Sequence, residues 1–285
     1  MSILSIQSHV AFGHVGNAAA VFPLQLMGQD TWPIHTVQFS NHTGYGAWTG
    51  RVFDGEMIRE LVDGIEARGA LPKCDAILSG YMGGAPIVEA VVDTVSRVRA
   101  VSPEAIYCCD PVMGDVGRGI FVQEGIPDLI INKAIPQADI ITPNLFELEL
   151  ASGRTVKTLA DALEAAHALR ARGPKVVVVS SLLVEETADD SINVLVVSGE
   201  GAWMVKTPIL PLPIAPNGAG DMLSSLFLGN TLRGYSPDEA LSRTVSALYQ
   251  VLKTTLEEGT RELQIVKTGF KLLEPDTLFK AEKVA

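Results

Sequence analysis

Short runs of β-branched and apolar residues alternate with runs of helical periodicity along nearly the whole chain. That alternation points to an α/β fold, a central mainly parallel sheet flanked by helices. Residues 2–7 read as a first strand, followed by a turn at Gly13 and Gly16 and a buried apolar helix over 17–27. Residues 31–39 form a second strand, rich in β-branched and aromatic side chains. Met57, Ile58, Leu61, Val62 and Ile65 recur at helical spacing among charged residues, which predicts an amphipathic helix over 56–67. Further strands are expected over 76–79, 105–109, 139–142 and 176–179, with a helix over 86–100. Residues 193–197 and 202–205 suggest a hairpin about the turn at 198–201. Ser236, Pro237 and Glu239 together predict a capping box and a long helix to residue 256. Without repeats, low-complexity tracts or linkers, residues 1–285 read as a single domain.

Composition narrows the partners. Twenty-two Lys and Arg stand against 33 Asp and Glu, a formal charge of -11, and no stretch gathers the basic residues that nucleic acid requires. Residues 1–29 carry no Asp, Glu, Lys or Arg, yet they lack a basic leader, and Ser8, His9, His14 and Asn17 interrupt any apolar core, which argues against a signal peptide. No stretch reads as a membrane span, so a soluble cytoplasmic protein is expected. Cys74, Cys108 and Cys109 have neither CxxC nor zinc-ligand spacing and read as reduced thiols, with no disulfide or structural zinc.

The segment Asn217-Gly218-Ala219-Gly220-Asp221 precedes an apolar helix over 222–232. Small residues there let backbone amides converge on an anion at a helix N-terminus, and Asp221 beside it has the chemistry of a base for a hydroxyl attacking a phosphoryl group. An ordinary helix cap is the alternative reading. Asp110 to Asp115 follow a central strand, at the end where open α/β sheets bind ligands, and carboxylates there suit magnesium. Asn144 and Glu147 follow the next strand, and their spacing also fits an N-capping pair. Neither a Walker sequence nor a GxGxxG fingerprint is present. Ser8 and His9, the polar string from Gln38 to Tyr45, and Ser79-Gly80-Tyr81 each follow a strand in the same sense, so all would gather at one sheet edge around an aromatic wall. His9, His14 and His42 are candidate contacts to a polar ligand, whereas His35 and His167 read as structural.

Taken in order, these segments resemble the bacterial pyridoxal kinases of the ribokinase-like superfamily over nearly the whole chain. The GxGD element at Gly218–Asp221 and the NxxE element at Asn144–Glu147 mark the superfamily, and the string from Gln38 to Tyr45 points to pyridoxal. The resemblance implies ATP-dependent phosphorylation of the 5′-hydroxyl of pyridoxal, with Asp221 as base and Gly218, Ala219 and Gly220 as the anion hole. It puts Ser8, Thr43, Gly44 and Tyr81, with Asp221, around the pyridine ring. Asp110, Asp115, Thr142, Asn144, Glu147 and Ser180 are expected on the ATP side, with Thr207, Pro208, Ile209 and Leu210 along the adenine. Asp110 and Glu147 would reach Mg²⁺ through water, with a monovalent cation as a further expectation. Asp115 would ride on a lid whose motion Gly114, Gly117 and Gly119 allow. Two departures stand out: Ser180 where some relatives carry Lys, and Ala219 where others carry Thr or Val. A homodimer is implied as well. The competing readings are a hydroxymethylpyrimidine kinase, a sugar kinase, and a pyridoxal phosphate carrier with little turnover.

Overall fold

The computed structural model describes residues 1–285. In chain order the elements are β1 (Ser2–Phe12), α1 (Asn17–Leu26), β2 (Asp30–Asn41), β3 (Gly50–Val52), α2 (Gly55–Ala67), β4 (Cys74–Ser79), α3 (Ala85–Val101) and β5 (Ile106–Cys109). A small hairpin, β6 (Gly114–Asp115) and β7 (Gly119–Ile120), comes next, then α4 (Ile126–Leu129), β8 (Ile140–Ile141), α5 (Leu145–Ser152), α6 (Leu159–Arg170) and β9 (Val176–Leu182). The chain closes with β10 (Ser191–Val197), β11 (Ala202–Pro208), α7 (Ala219–Leu232), α8 (Pro237–Glu257) and β12 (Glu282–Lys283).

Ten strands form one sheet in the order β12-β11-β10-β9-β8-β5-β4-β1-β2-β3. From β2 to β9 neighbours are parallel, while β3 at one edge and β10 to β12 at the other pair antiparallel. Alternate strand residues supply two cores. Leu4, Ile6, Ile77, Cys109 and Val177 pack with Ile58 of α2, Val91 of α3, Leu148 of α5 and Ala165 of α6. Ile3, Leu78, Cys108 and Val178 face Leu24 of α1, Phe227 of α7 and Leu241 of α8. Burial on both faces explains why β5, β8 and the first half of β9 read as continuous apolar runs. All three cysteines are buried free thiols.

The chain runs from β1 outward to β2 and then returns to β4 on the other side of β1, a topological switch that opens a crevice at the strand C-termini. Because two antiparallel steps restore the direction, the end of β11 reaches the same edge. The sheet also corrects the sequence reading there. Parallel pairing of β1 with β2 resumes beyond an irregularity at Gln7/His9 and continues to Phe12 and Asn41, so Ser8 and His9, like Ser40 and Asn41, are strand residues rather than loop residues. Ser236 does cap α8 by position, but its hydroxyl bonds Asp238 at 2.7 Å and no amide, so the expected capping box does not form. No helix is long and apolar enough to cross a membrane.

Candidate active site

Helix α7 begins at Ala219, three residues earlier than its apolar run suggests, so Ala219, Gly220 and Asp221 form its first turn. Their amides have no carbonyl partner within the helix, and no side chain caps it. Gly218, the N-cap residue, has φ +90°, and a Cβ there would stand 1.9 Å from the His14 carbonyl oxygen. Only glycine lets the chain turn so tightly against the 13–16 segment. At Gly220 the nearest atom to an added Cβ is an Asp110 carboxyl oxygen at 3.9 Å, so the missing side chain keeps the space between helix and carboxylate open.

Asp221 is half-buried, and burial raises its carboxyl above the ordinary range while a hydrogen bond from the Gly16 amide opposes the rise. Asp110 follows β5 and is buried; burial first, then the negative charges of Glu147 and Asp221, push its carboxyl well above the usual range, with the Thr142 hydroxyl opposing. The Thr142 Oγ1 itself is buried without a well-formed hydrogen bond.

Glu147 is buried and raised to about 7 by burial, against the pull of three amides. Its Oε1 accepts from the Met113 amide at 2.9 Å and the Gly114 amide at 3.4 Å, and its Oε2 accepts from the Asn144 amide at 3.0 Å. Asn144 returns the bond by accepting from the Glu147 amide at 2.9 Å, and it also donates to the Gly114 carbonyl at 2.8 Å. The capping reading of this pair therefore holds, and the pair additionally pins the base of the β6–β7 hairpin. Ser180 bridges to Asn144, with its amide donating to the Pro143 carbonyl at 2.9 Å. Ser181 beside it is the sole non-glycine residue with positive φ, 50°.

These groups fit a magnesium ion that arrives on substrate phosphates. No group of three or more His, Cys, Asp or Glu encloses a metal, whereas the negative charges of Glu147 and Asp221 bearing on Asp110 favour a hard cation there. The Asp110 carboxylate accepts no backbone amide and would be available to such an ion, while Glu147, with both oxygens engaged, would reach it through water.

Other expected residues divide into two regions. Thr207 and Pro208 end β11, with Ile209 and Leu210 beyond it, on the same edge as Thr142 but three strands away, about 14 Å at ordinary strand spacing. Asp115 is exposed on the hairpin, its carboxyl accepting the Val116 amide at 2.8 Å. On the side of the switch point, Ser8 is buried with its carbonyl and hydroxyl packed on Gly16, and Tyr81 is half-buried with its carbonyl held by Thr36 at 2.8 Å. Thr43, Gly44 and Tyr45 form a single helical turn capped by His42, whose Nδ1 accepts the Gly44 amide at 3.0 Å. His9 and His35 stack at 4.3 Å; Gln38 lies 3.0 Å from His9, and Asn17 lies 3.0 Å from His35. Burial, aided by His9, lowers His35 to about 4, so this ring is neutral near pH 7. Sequence reasoning missed Arg261 and Glu262, which reach both loops of this region; they sit in no motif, and their partners are 217 to 248 residues away.

Comparison with known proteins agrees with this architecture. Residues 54–266 match the phosphomethylpyrimidine kinase family. The pyridoxal kinase PdxY of Deinococcus radiodurans is 57% identical over 99% of this chain and 96% of its own, and that of Granulibacter bethesdensis is 50% identical over 99% of each. Among solved structures, the pyridoxal kinase of Leishmania donovani in complex with ADP and pyridoxamine superposes with a TM-score of 0.92 at 30% identity, covering 100% of this chain and 99% of that one. The α/β, ribokinase-like fold expected from sequence is thus the fold observed.

Proposed function

The chain belongs to the pyridoxal kinases of the phosphomethylpyrimidine kinase family, and on that premise we propose that it transfers the γ-phosphoryl group of ATP to the 5′-hydroxyl of pyridoxal, with Asp221 as the base. The carrying observation is Asp221 in the first turn of the uncapped helix α7, beside Asp110. Its raised affinity for a proton suits it to take the hydroxyl proton as the oxygen attacks phosphorus. Amides of Gly218, Ala219 and Gly220 then hold the equatorial charge of the transferred group, where positioning and electrostatics account for most of the catalysis.

Mg²⁺ bound with ATP supplies charge neutralisation at the phosphates, and Asp110 with water-linked Glu147 would hold it; a monovalent cation is the further expectation carried by the resemblance. Ser180, Asn144 and Thr142 serve the phosphate side, Asp115 the lid, and Thr207 to Leu210 the adenine. Ser8, Thr43, Gly44 and Tyr81 hold the ring. We extend the reading to a single-domain protomer in a cytoplasmic homodimer.

The test is formation of pyridoxal phosphate, followed by its absorbance, with MgATP and pyridoxal, pyridoxine, pyridoxamine or hydroxymethylpyrimidine. Turnover on pyridoxal that Asp221→Ala lowers about 10²- to 10⁴-fold, with ATP binding kept, supports the assignment. Preference for hydroxymethylpyrimidine, or tight pyridoxal phosphate binding without ATP consumption, would refute it.

A further inference from the structure

Arg261 and Glu262 follow α8 and have no part in the chemistry proposed above, yet they touch both walls of the ring pocket. Leu263, next in sequence, is fully buried among residues of α1, α7 and α8, which anchors the segment. From there the Glu262 carboxylate spans two loops: Oε2 accepts the His14 amide at 3.0 Å, and Oε1 accepts the Tyr45 hydroxyl at 2.6 Å. The Arg261 guanidinium donates to the Gly44 carbonyl at 2.7 Å and covers the Tyr45 ring, 4.0 Å from its centroid.

The loops so joined carry different parts of the site. His14 belongs to the turn at 13–16, and its carbonyl abuts Gly218 at the start of α7. Gly44 and Tyr45 lie on the turn assigned to the ring. Gly13 is shaped for the same contact, since a Cβ there would stand 2.1 Å from Glu262 Oε2. Two charge-assisted hydrogen bonds on one carboxylate make a stiff link, because each is stronger than a neutral one and both angles are set by one planar group.

We propose that Glu262, backed by Arg261, is a positioning residue that fixes the distance between the ring turn at 43–45 and the turn at 13–16, and thereby the affinity for the pyridoxal ring. The inference rests on the assignment of Thr43 and Gly44 to the ring. It is tested by steady-state kinetics of Glu262→Ala, Glu262→Gln, Tyr45→Phe and the Tyr45→Phe/Glu262→Ala pair, varying pyridoxal and ATP separately. Glu262→Ala, which removes both bonds to the carboxylate, is expected to raise KM for pyridoxal about tenfold, while KM for ATP stays within about twofold. Glu262→Gln, which keeps one acceptor and can donate to Tyr45, recovers most of that loss. Tyr45→Phe raises KM for pyridoxal about threefold alone and adds nothing to Glu262→Ala, because the bond it removes is already gone. An unchanged KM for pyridoxal in Glu262→Ala, equal rises for both substrates, or additive effects of the pair would overturn the proposal. The two failures are separable: absence of turnover in the unmodified protein refutes the kinase reading, and the clamp is then judged by the pyridoxal dissociation constant from fluorescence titration of the same variants.

Discussion

Replacing Gly218 with Ala isolates the contribution of the proposed anion hole's geometry, and Gly28→Ala provides its reference. Both glycines have positive φ, +90° and +84°, but an added Cβ at Gly28 meets nothing within 4 Å, whereas at Gly218 it meets a backbone oxygen at 1.9 Å. Gly28→Ala therefore costs only the left-handed strain of an L-residue, about 1–2 kcal/mol. In a chain of this length that lowers Tm by about 2–5 °C, with kcat unchanged. Gly218→Ala adds a clash that a rigid carbonyl cannot relieve by rotating, since normal contact lies more than an ångström further out. Overpacking of that kind adds about 1–3 kcal/mol, for a total of about 2–5 kcal/mol. The relief available is a shift of the α7 N-terminus away from His14, which carries the amides of Ala219 and Gly220 and the carboxyl of Asp221 with it. A displacement near 1 Å at a reacting centre costs about 10²-fold in rate. The assay is a paired measurement of Tm and kcat for pyridoxal phosphorylation. Gly218→Ala with kcat within about threefold of the unmodified protein would refute the argument that this turn sets the catalytic geometry.

Other substitutions probe the surrounding parts. Asn144→Ala removes a helix cap and the bond to the Gly114 carbonyl, so a loss of about 1–2 kcal/mol in urea denaturation and a higher KM for ATP are expected together. A stability loss with KM for ATP unchanged would separate the cap from the hairpin. His35 binds its proton less readily folded than unfolded, so stability is present above pH 6.5 and falls as the pH drops from 6.5 toward about 4. Urea midpoints at pH 5 and 7.5 should differ less in His35→Gln than in the unmodified protein; an equal difference would show that other groups dominate. Ser180→Lys places a cation near the proposed phosphate site and should raise kcat/KM for ATP; a decrease would show that the space beside Asn144 does not admit the longer side chain.

Much of the site was legible because its signals are local. The pairing of Asn144 with Glu147 is a three-residue spacing, and it forms as expected, with an unforeseen hold on Met113 and Gly114 across the edge of the sheet. The same kind of signal failed at Ser236, where a neighbouring Asp238 competes for the hydroxyl and Pro237 already sets the helix start. Residues Ser8 and His9 were read as lying past a strand, since Ser, His and Gln have no strong preference for one, yet parallel pairing to β2 carries the ladder through them.

Alternation of apolar strands with amphipathic helices, the glycine at position 218 and the carboxylates placed after strands were enough to determine the fold class and the candidate phosphoryl-transfer end of the site, because periodicity and short spacings act over a few residues. Tertiary structure alone decided that Asp110 senses the charges of Glu147 and Asp221, and that Glu262 joins His14 to Tyr45. Those contacts close loops of more than a hundred residues in most cases, and a chain records no local trace of a partner that only the packing of its sheet brings within hydrogen-bond distance.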